Sequence, residues 1–347
     1  MFQKITLQEL VDFTKSLSIM LKSGITINDA LHDLSEQSES SYFAKVIDRV
    51  RVDVESGTPL SKSFAKENKV FGDIFVSLIK AGEESGTLQG NLQFLADWLN
   101  RNADLRREVA AATMYPKLVF GAAMLLGGGL AVFILPKLVP LFTSLKVELP
   151  LITKMLLHIS LWLQNYWYVG VLMILSLVGV TRFLNTIYPV RKFFHRSYIN
   201  LPFMGKLLKR YQCALLTQLF ATLLKSGLSL NQSTEIVSQA ATNIIYKESL
   251  EVIRQKLVKG TTLSESMKLF RDLYPSMMIS IVAVGENSGS LVLSFEYLAE
   301  FFTKEVNIQT KKIPTIIEPL LLVFIAVIVG FVALAIIMPI YEISGNI

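Results

Sequence analysis

The chain has 347 residues, of which 52% are hydrophobic and only 18% charged, with a mean hydropathy of +0.46. Charge falls well below the roughly 25% of an ordinary soluble domain, which excludes a disordered tail, a collagen and a coiled-coil rod. The formal charge of +6 is unevenly spread, and a single cysteine, Cys213, excludes an internal disulfide and any site built from several thiolates.

Met1-Phe2-Gln3-Lys4 runs straight into an acid-bearing helix and resembles no cleavable signal peptide, so the start of the chain is expected to stay on the side where it is made. Thr6-x-x-Glu9 is a capping box opening a helix with apolar Leu10, Phe13, Leu17 and Leu21, which Gly24 closes; Thr26 caps the next. Further helices are expected over 41–56, 59–67, 72–82 and 87–113, and no period-two alternation competes with them. Residues 1–113 therefore read as a cytoplasmic bundle of five or six helices whose last member continues toward a membrane.

From Leu118 to Pro136 no residue is charged, and Gly127-Gly128-Gly129 in the middle is costly in water but tolerated in a bilayer, which predicts a first transmembrane helix within 114–139. An external amphipathic segment follows over 140–165, where Leu149-Pro150-Leu151-Ile152-Thr153 precedes apolar Met155, Leu156, Ile159 and Leu163; it either lies against the membrane or only packs. A second span is expected over 166–188, with Trp162, Tyr166, Trp167 and Tyr168 as an interfacial belt and Arg182 at the far end. Residues 189–316 form the second cytoplasmic domain. The uncharged stretch from Pro319 to Tyr341 supplies a third span within 317–341, long enough at about 1.5 Å per residue to cross roughly 30 Å of hydrocarbon. Lys and Arg flanking the spans place the N-terminus in the cytoplasm and the short tail, 342–347, outside. The segment 182–210, with seven basic residues and no acid, fits a cytoplasmic flank or a site for acidic lipid, and nothing in it indicates nucleic acid.

The chain contains an internal duplication. Leu21-Lys22-Ser23-Gly24 recurs as Leu224-Lys225-Ser226-Gly227, a displacement of 203 positions. Gly57-Thr58 recurs at the same displacement as Gly260-Thr261, Gly82-Glu83-x-Ser85-Gly86-x-Leu88 as Gly285-Glu286-x-Ser288-Gly289-x-Leu291, and Pro116 and Pro136 as Pro319 and Pro339. One constant offset over such a length identifies two copies of a helical domain feeding a membrane span, with the middle span returning the chain for the second copy. The fold class is all-α: two homologous cytoplasmic bundles with three transmembrane helices.

His32, His158 and His195 fall in separate regions without zinc-helix spacing, so no metal is expected; the glycine-rich runs lack a phosphate-reaching lysine, so no nucleotide cofactor is expected either. No motif joins a nucleophile to a base, which argues against an enzyme, including an intramembrane hydrolase. The spans hold no interior charge of the kind ion pathways use, which disfavours a small transporter or channel subunit, the alternative reading. What stands out is the repeated Gly-Glu-x-Ser-Gly. Gly82 is expected to let the chain leave the helix, Ser85 to cap the next one, Gly86 to permit close approach, and Glu83 to sit at a helix N-terminus, favoured by its dipole. Gly285, Glu286, Ser288 and Gly289 repeat this, and the motif is either a structural turn or a partner contact. Glu318-Pro319 at the mouth of the last span is a further candidate, the alternative being a proline that only begins a helix there.

These doubled motifs, the Leu-Pro-Leu-x-Thr segment at 149–153 and Glu318-Pro319 leading to Met338-Pro339-Ile340-Tyr341 resemble the type II secretion F family, the inner-membrane platform proteins of type IV pilus, type II secretion and competence pseudopilus machines. The resemblance implies a non-enzymatic, multi-pass protein of a bacterial-type inner membrane. It also implies partners: a cytoplasmic hexameric assembly ATPase, pilin or pseudopilin subunits, and other inner-membrane assembly proteins. Duplication within one chain further suggests a homodimer presenting four similar bundles to a ring-shaped motor.

Overall fold

A computed structural model describes residues 5–129, 187–201 and 204–345, with isolated positions between 162 and 180. Among them every regular element is a helix. The external segment expected over 140–165, apart from Trp162, much of the second span, and the first four residues lie outside the described residues.

The first copy runs through α1 (Leu7–Lys22), α2 (Ile27–Gln37), α3 (Ser41–Glu55), α4 (Leu60–Lys66), α5 (Asn68–Ser85) and the start of α6 (Leu88–Gly129). α7 (Tyr188–Asn200) precedes the second copy: α8 (Met204–Lys225), α9 (Leu230–Ala240), α10 (Ile244–Val258), α11 (Leu263–Met267), a 3-10 turn at Lys268–Phe270, α12 (Ser276–Ser288) and α13 (Leu291–Gly345). Helix starts follow local chemistry. Thr6 Oγ1 accepts the Glu9 N–H at 3.2 Å while the Glu9 carboxylate accepts the Thr6 N–H at 2.6 Å, a reciprocal cap. Ser229 and Gln232 repeat it at 3.3 and 3.1 Å ahead of α9.

Two expected boundaries shift. α5 begins before residue 72, and Gly72 inside it has φ 80°, a left-handed backbone that breaks the helix locally; the corresponding position of the second copy is Pro275, with φ −58°. α6 does not stop near 113 but continues to Gly129 with Pro116 inside it.

By contacts the chain divides into two compact units, Met1–Glu108 with Lys192–Ile308, and Val109–Arg191 with Gln309–Ile347. Both copies thus share the first unit. α5 packs on α9 across the copies, and the Lys225 ammonium, paired with Glu296 at 2.7 Å, sits over the Phe94 ring at 5.7 Å. The core of the first copy is a cluster of phenylalanines: Phe13, Phe43, Phe64, Phe71 and Phe75, with neighbouring centroids 4.5–6.3 Å apart. The equivalent positions in the second copy are Leu216, Tyr246, Met267, Tyr274 and Met278, all buried.

In the second unit, Phe120 of α6 stacks on Phe324 of α13, centroids 5.2 Å apart. Leu118, Leu125 and Leu126 on α6, and Leu320, Leu322, Val323 and Val327 on α13, turn outward, Leu125 being 78% exposed. Such contiguous outward apolar surface is disfavoured in water. Among the described residues one helix, Leu88–Gly129, is long and apolar enough to cross a membrane.

Candidate functional site

The repeated Gly-Glu-x-Ser-Gly closes the helix before the long one in each copy. Its two glycines do the opposite of what the sequence suggests. Gly82 stays inside α5, where an added Cβ would fall 2.7 Å from the Leu88 Cα and 3.2 Å from the Asn91 side chain, so it is the close-approach residue that lets α5 and α6 touch. Gly86 ends α5 in the left-handed conformation at φ 68°, where L side chains are strained. Gly285 and Gly289 repeat the pair: a Cβ on Gly285 would meet the Ser294 Oγ and fall 2.9 Å from the Ser294 Cβ, and Gly289 has φ 67°. Ser85 does not cap α6; its hydroxyl donates to the Ala81 carbonyl at 2.6 Å within α5 and shares a hydrogen with Thr87. Ser288 does the same with Val284 and Ser290.

The glutamate is the informative member. The Glu83 carboxylate reaches back to the start of α4, accepting the Leu60 N–H through Oε1 and the Ser61 N–H through Oε2 at 3.0 Å. These are orphan donors of a helix whose own N-cap, Pro59, supplies no side-chain acceptor. Glu286 clasps Leu263 and Ser264 at the start of α11 in the same way, the second bond at 2.8 Å. There Thr262 also caps, its hydroxyl accepting the Glu265 N–H at 3.3 Å. The dipole argument thus holds for a helix N-terminus, but of the helix one element upstream rather than the next one.

Glu318 and Pro319 lie exposed within α13 in the second unit. His32 Nε2 is 3.6 Å from the Glu36 carboxylate, and His195 Nδ1 accepts the Ile244 N–H at 3.0 Å, fixing α7 to the head of α10 together with the 2.8 Å pair of Lys192 and Glu248. That gives part of the basic block at 182–210 a packing role. Among the described residues no group of three or more His, Cys, Asp or Glu is placed to hold a metal ion.

Sequence reading passed over a buried polar cluster in the second copy. The Tyr246 hydroxyl donates to the Leu273 carbonyl at 3.0 Å, Ser249 Oγ donates to the Tyr246 carbonyl at 2.8 Å and lies 2.7 Å from the Tyr274 hydroxyl, and Cys213 Sγ is 3.7 Å from the Leu273 carbonyl. Burial pushes the Cys213 thiol up to about 12 and raises both tyrosines above their ordinary range. In the first copy the same four positions are Leu10, Phe43, Val46 and Phe71. The 203-residue register would have brought out the substitutions, but not that one carbonyl, Leu273, accepts from both Cys213 and Tyr246.

The family model described as "Type II secretion system (T2SS), protein F" matches residues 13–136 and again 216–339, the same 203-position displacement as the repeated motifs. The type IV pilus assembly protein PilC of Thermus thermophilus is 32% identical over 344 residues, covering 98% of this chain and 84% of the relative. The protein of that name from Pseudomonas aeruginosa is 26% identical over 99% of this chain and 92% of its own length. The type II secretion system protein F of Aeromonas hydrophila is 28% identical over 97% of this chain and 87% of the relative.

Proposed function

The chain belongs to the type II secretion system protein F family, and from that premise we propose that it is a non-enzymatic inner-membrane platform of a pilus- or secretion-type assembly machine. In this reading the shared unit of the two copies engages a cytoplasmic hexameric ATPase, and three transmembrane helices pass the motor's movement to pilin or pseudopilin subunits leaving the bilayer. Other inner-membrane assembly proteins and a second copy of the chain complete the assembly, with the N-terminus cytoplasmic and the C-terminus external.

The observation that carries the reading is the continuity of α6 and α13 from packed copies into outward-facing apolar surface. Each begins within the packed unit shared by the copies; α6 carries exposed leucines after residue 117, and α13 exposed leucines and valines after residue 319. A continuous helix transmits displacement with little slack, because most residues along it are held by i to i−4 hydrogen bonds, Pro116 in α6 and Pro314 and Pro319 in α13 each lacking the N–H for one of them. The Glu83 and Glu286 carboxylates are already committed to backbone N–H groups within the protein. This favours a structural role for the repeated motif over a motor contact.

Reconstitution tests the proposal. Purified protein in lipid nanodiscs is expected to bind the purified assembly ATPase of its own organism and to raise its turnover without hydrolysing ATP itself. Hydrolysis by the isolated chain, or absence of any binding to the motor, would sink the reading. Cysteine labelling from each side of right-side-out and inverted vesicles tests the topology, and a C-terminus labelled only from the cytoplasmic side would overturn it.

A further inference from the structure

The two copies meet through unlike surfaces. In the first copy the face shared by α5 and α6, marked by Ala81, Gly90 and Phe94, is seated on the second copy. There α5 packs on α9, the Lys225 ammonium of α8 lies 5.7 Å from the Phe94 centroid, and Phe94 and Trp98 line one cavity with Ala221 and Thr222. Ala81 and Phe94 are half-buried. A displacement of 203 turns the three marking positions into Val284, Leu293 and Tyr297. These share one side of α12 and α13: each of Val284 and Leu293 precedes by one residue the pair that brings the helices together, Gly285 and Ser294, and Tyr297 lies one turn beyond Leu293. In the second copy this face is open, with Val284 64% exposed, Leu293 67% and Tyr297 54%. It is also neutral. Between residues 276 and 298 the only charged side chains are Glu286, held by the Leu263 and Ser264 N–H groups, and Glu296, paired with Lys225; at the rim Glu300 pairs with Lys304 at 2.7 Å. The corresponding stretch of the first copy holds Asp73, Lys80, Glu83 and Glu84.

We propose that the face of Val284, Leu293 and Tyr297 receives the same face of a second chain, so that two chains pair about a twofold axis through α12 and α13 of their second copies. This pairing rests on the platform reading for the second chain it needs, and adds the surface by which the two meet. The occupant is indicated within the chain itself, since the counterpart face of the first copy is seated on a bundle of this same fold. Exchange of Ala81 for Val284 and of Gly90 for Leu293 enlarges the apolar surface where an interface core requires it. With its bordering charges paired, the face has no excess charge to draw an anionic lipid or a strongly charged protein, whereas its own copy matches it apolar side chain to apolar side chain. A head-to-tail continuation of the contact within the chain is disfavoured. It would seat Val284 and Leu293 on the first copy of the next chain, where α2 carries Asp29, Asp33 and Glu36 in place of Gln232, Ile236 and Gln239 of α9. Those carboxylates would be covered by apolar side chains, and α12 brings no cation to pair them.

The duplication supplies a test variant that the fold already accommodates: Val284→Ala with Leu293→Gly writes the first copy's residues at two exposed positions. Full-length protein in detergent micelles is followed by light scattering over a concentration series. Wild type is expected to form dimers, and the variant to dissociate at roughly tenfold or more higher concentration, since a few core side chains carry most of an interface's affinity. Leu293→Asp and Leu293→Lys should each be monomeric alone and pair when mixed, which only a face that meets itself allows. Leu293→Cys, the one exposed cysteine because Cys213 is buried, should link to itself on oxidation of native membranes. A monomeric wild type, or variants that pair as wild type does, would overturn the pairing. A mixture of the Asp and Lys variants that stays monomeric, or a Leu293→Cys chain that links only to Ile19→Cys of the first copy, would show that the face meets a different surface and overturn it equally. Protection of Leu293→Cys from maleimide only when the motor is bound would give the face to the motor instead. Motor binding measured on the same samples separates the two readings: a wild type that binds the motor without pairing leaves the platform standing, and one that does neither removes both.

Discussion

Between α1, α3 and α5 of the first copy the space is filled by phenylalanine rings, and between α8, α10 and α12 of the second by tyrosine hydroxyls, a serine, a thiol and methionines. The backbones agree: glycines at corresponding turns have φ 86° and 87°, 87° and 85°, and 68° and 67°. One helical frame therefore tolerates two core chemistries, provided each polar atom introduced finds a partner. Phenylalanines need only volume, whereas Tyr246 needs the Leu273 carbonyl and Tyr274 needs Ser249. The second core is thus specified by direction as well as by shape, and it is open to solvent conditions that leave the first untouched.

The largest single loss should come from the glutamate clasps. Glu83→Ala strips α4 of two charge-assisted bonds with no other side-chain cap present, and is expected to cost about 4 kcal/mol. Glu286→Ala leaves Thr262 in place and should cost roughly 1 kcal/mol less. Chemical denaturation followed by hydrogen exchange, read separately on peptides of each copy, measures both, and equal losses would show that Thr262 adds nothing.

Gly82→Ala comes next. Its Cβ meets backbone, the Leu88 Cα, and should cost about 3 kcal/mol, while Gly285→Ala meets the Ser294 Oγ, which can rotate away, and the Ser294 Cβ at 2.9 Å, which cannot, and should cost about 2 kcal/mol. A Gly285→Ala loss as large as that at Gly82 would place the constraint in the Leu291 backbone instead.

Alkali should distinguish the cores by a smaller margin. Cys213, Tyr246 and Tyr274 hold their protons more tightly when folded than when unfolded. The unfolded chain therefore releases protons first as pH rises, and stability present below about pH 9 is lost progressively above it. A short pulse at pH 10.5 followed by protease should cleave the second copy ahead of the first. Replacing Cys213, Tyr246, Ser249 and Tyr274 by Leu, Phe, Val and Phe should abolish the difference.

The smallest effect belongs to the surface. Arg49→Ala breaks an exposed pair with Glu67 and should shift stability by less than about 1 kcal/mol. A shift above that in a thermal melt would mean the pair is coupled to the neighbouring Lys66 and Asp53.

Local signals in the sequence were read correctly where the partner lies within one turn. The Thr6 and Glu9 cap, the turns after α1 and α3, and the 203-residue register all depend on neighbours or on repetition. The exchanged roles of Gly82 and Gly86 show where such reading stops. Both glycines are compatible with a helix end, and only the approach of Leu88 and Asn91 distinguishes the one that must lack a side chain. Glu83 is a similar case: its acceptors sit 22 and 23 residues from their donors, and no periodicity announces that distance. Gly72 was missed because a glycine at a helix start and a glycine at a break carry the same letter.

The clasp also bears on the order in which the chain becomes structured as it is made. α4 has seven residues and α11 five, too short to persist alone in water, where isolated helices below about 12 residues are marginal. Each emerges from the ribosome before the carboxylate that holds its first turn. Until Glu83 or Glu286 has followed, the short helix remains unfixed, and the moment of its capture coincides with the arrival of α5 or α12 against it. Each short helix is thus captured late, by the trailing segment of its own copy.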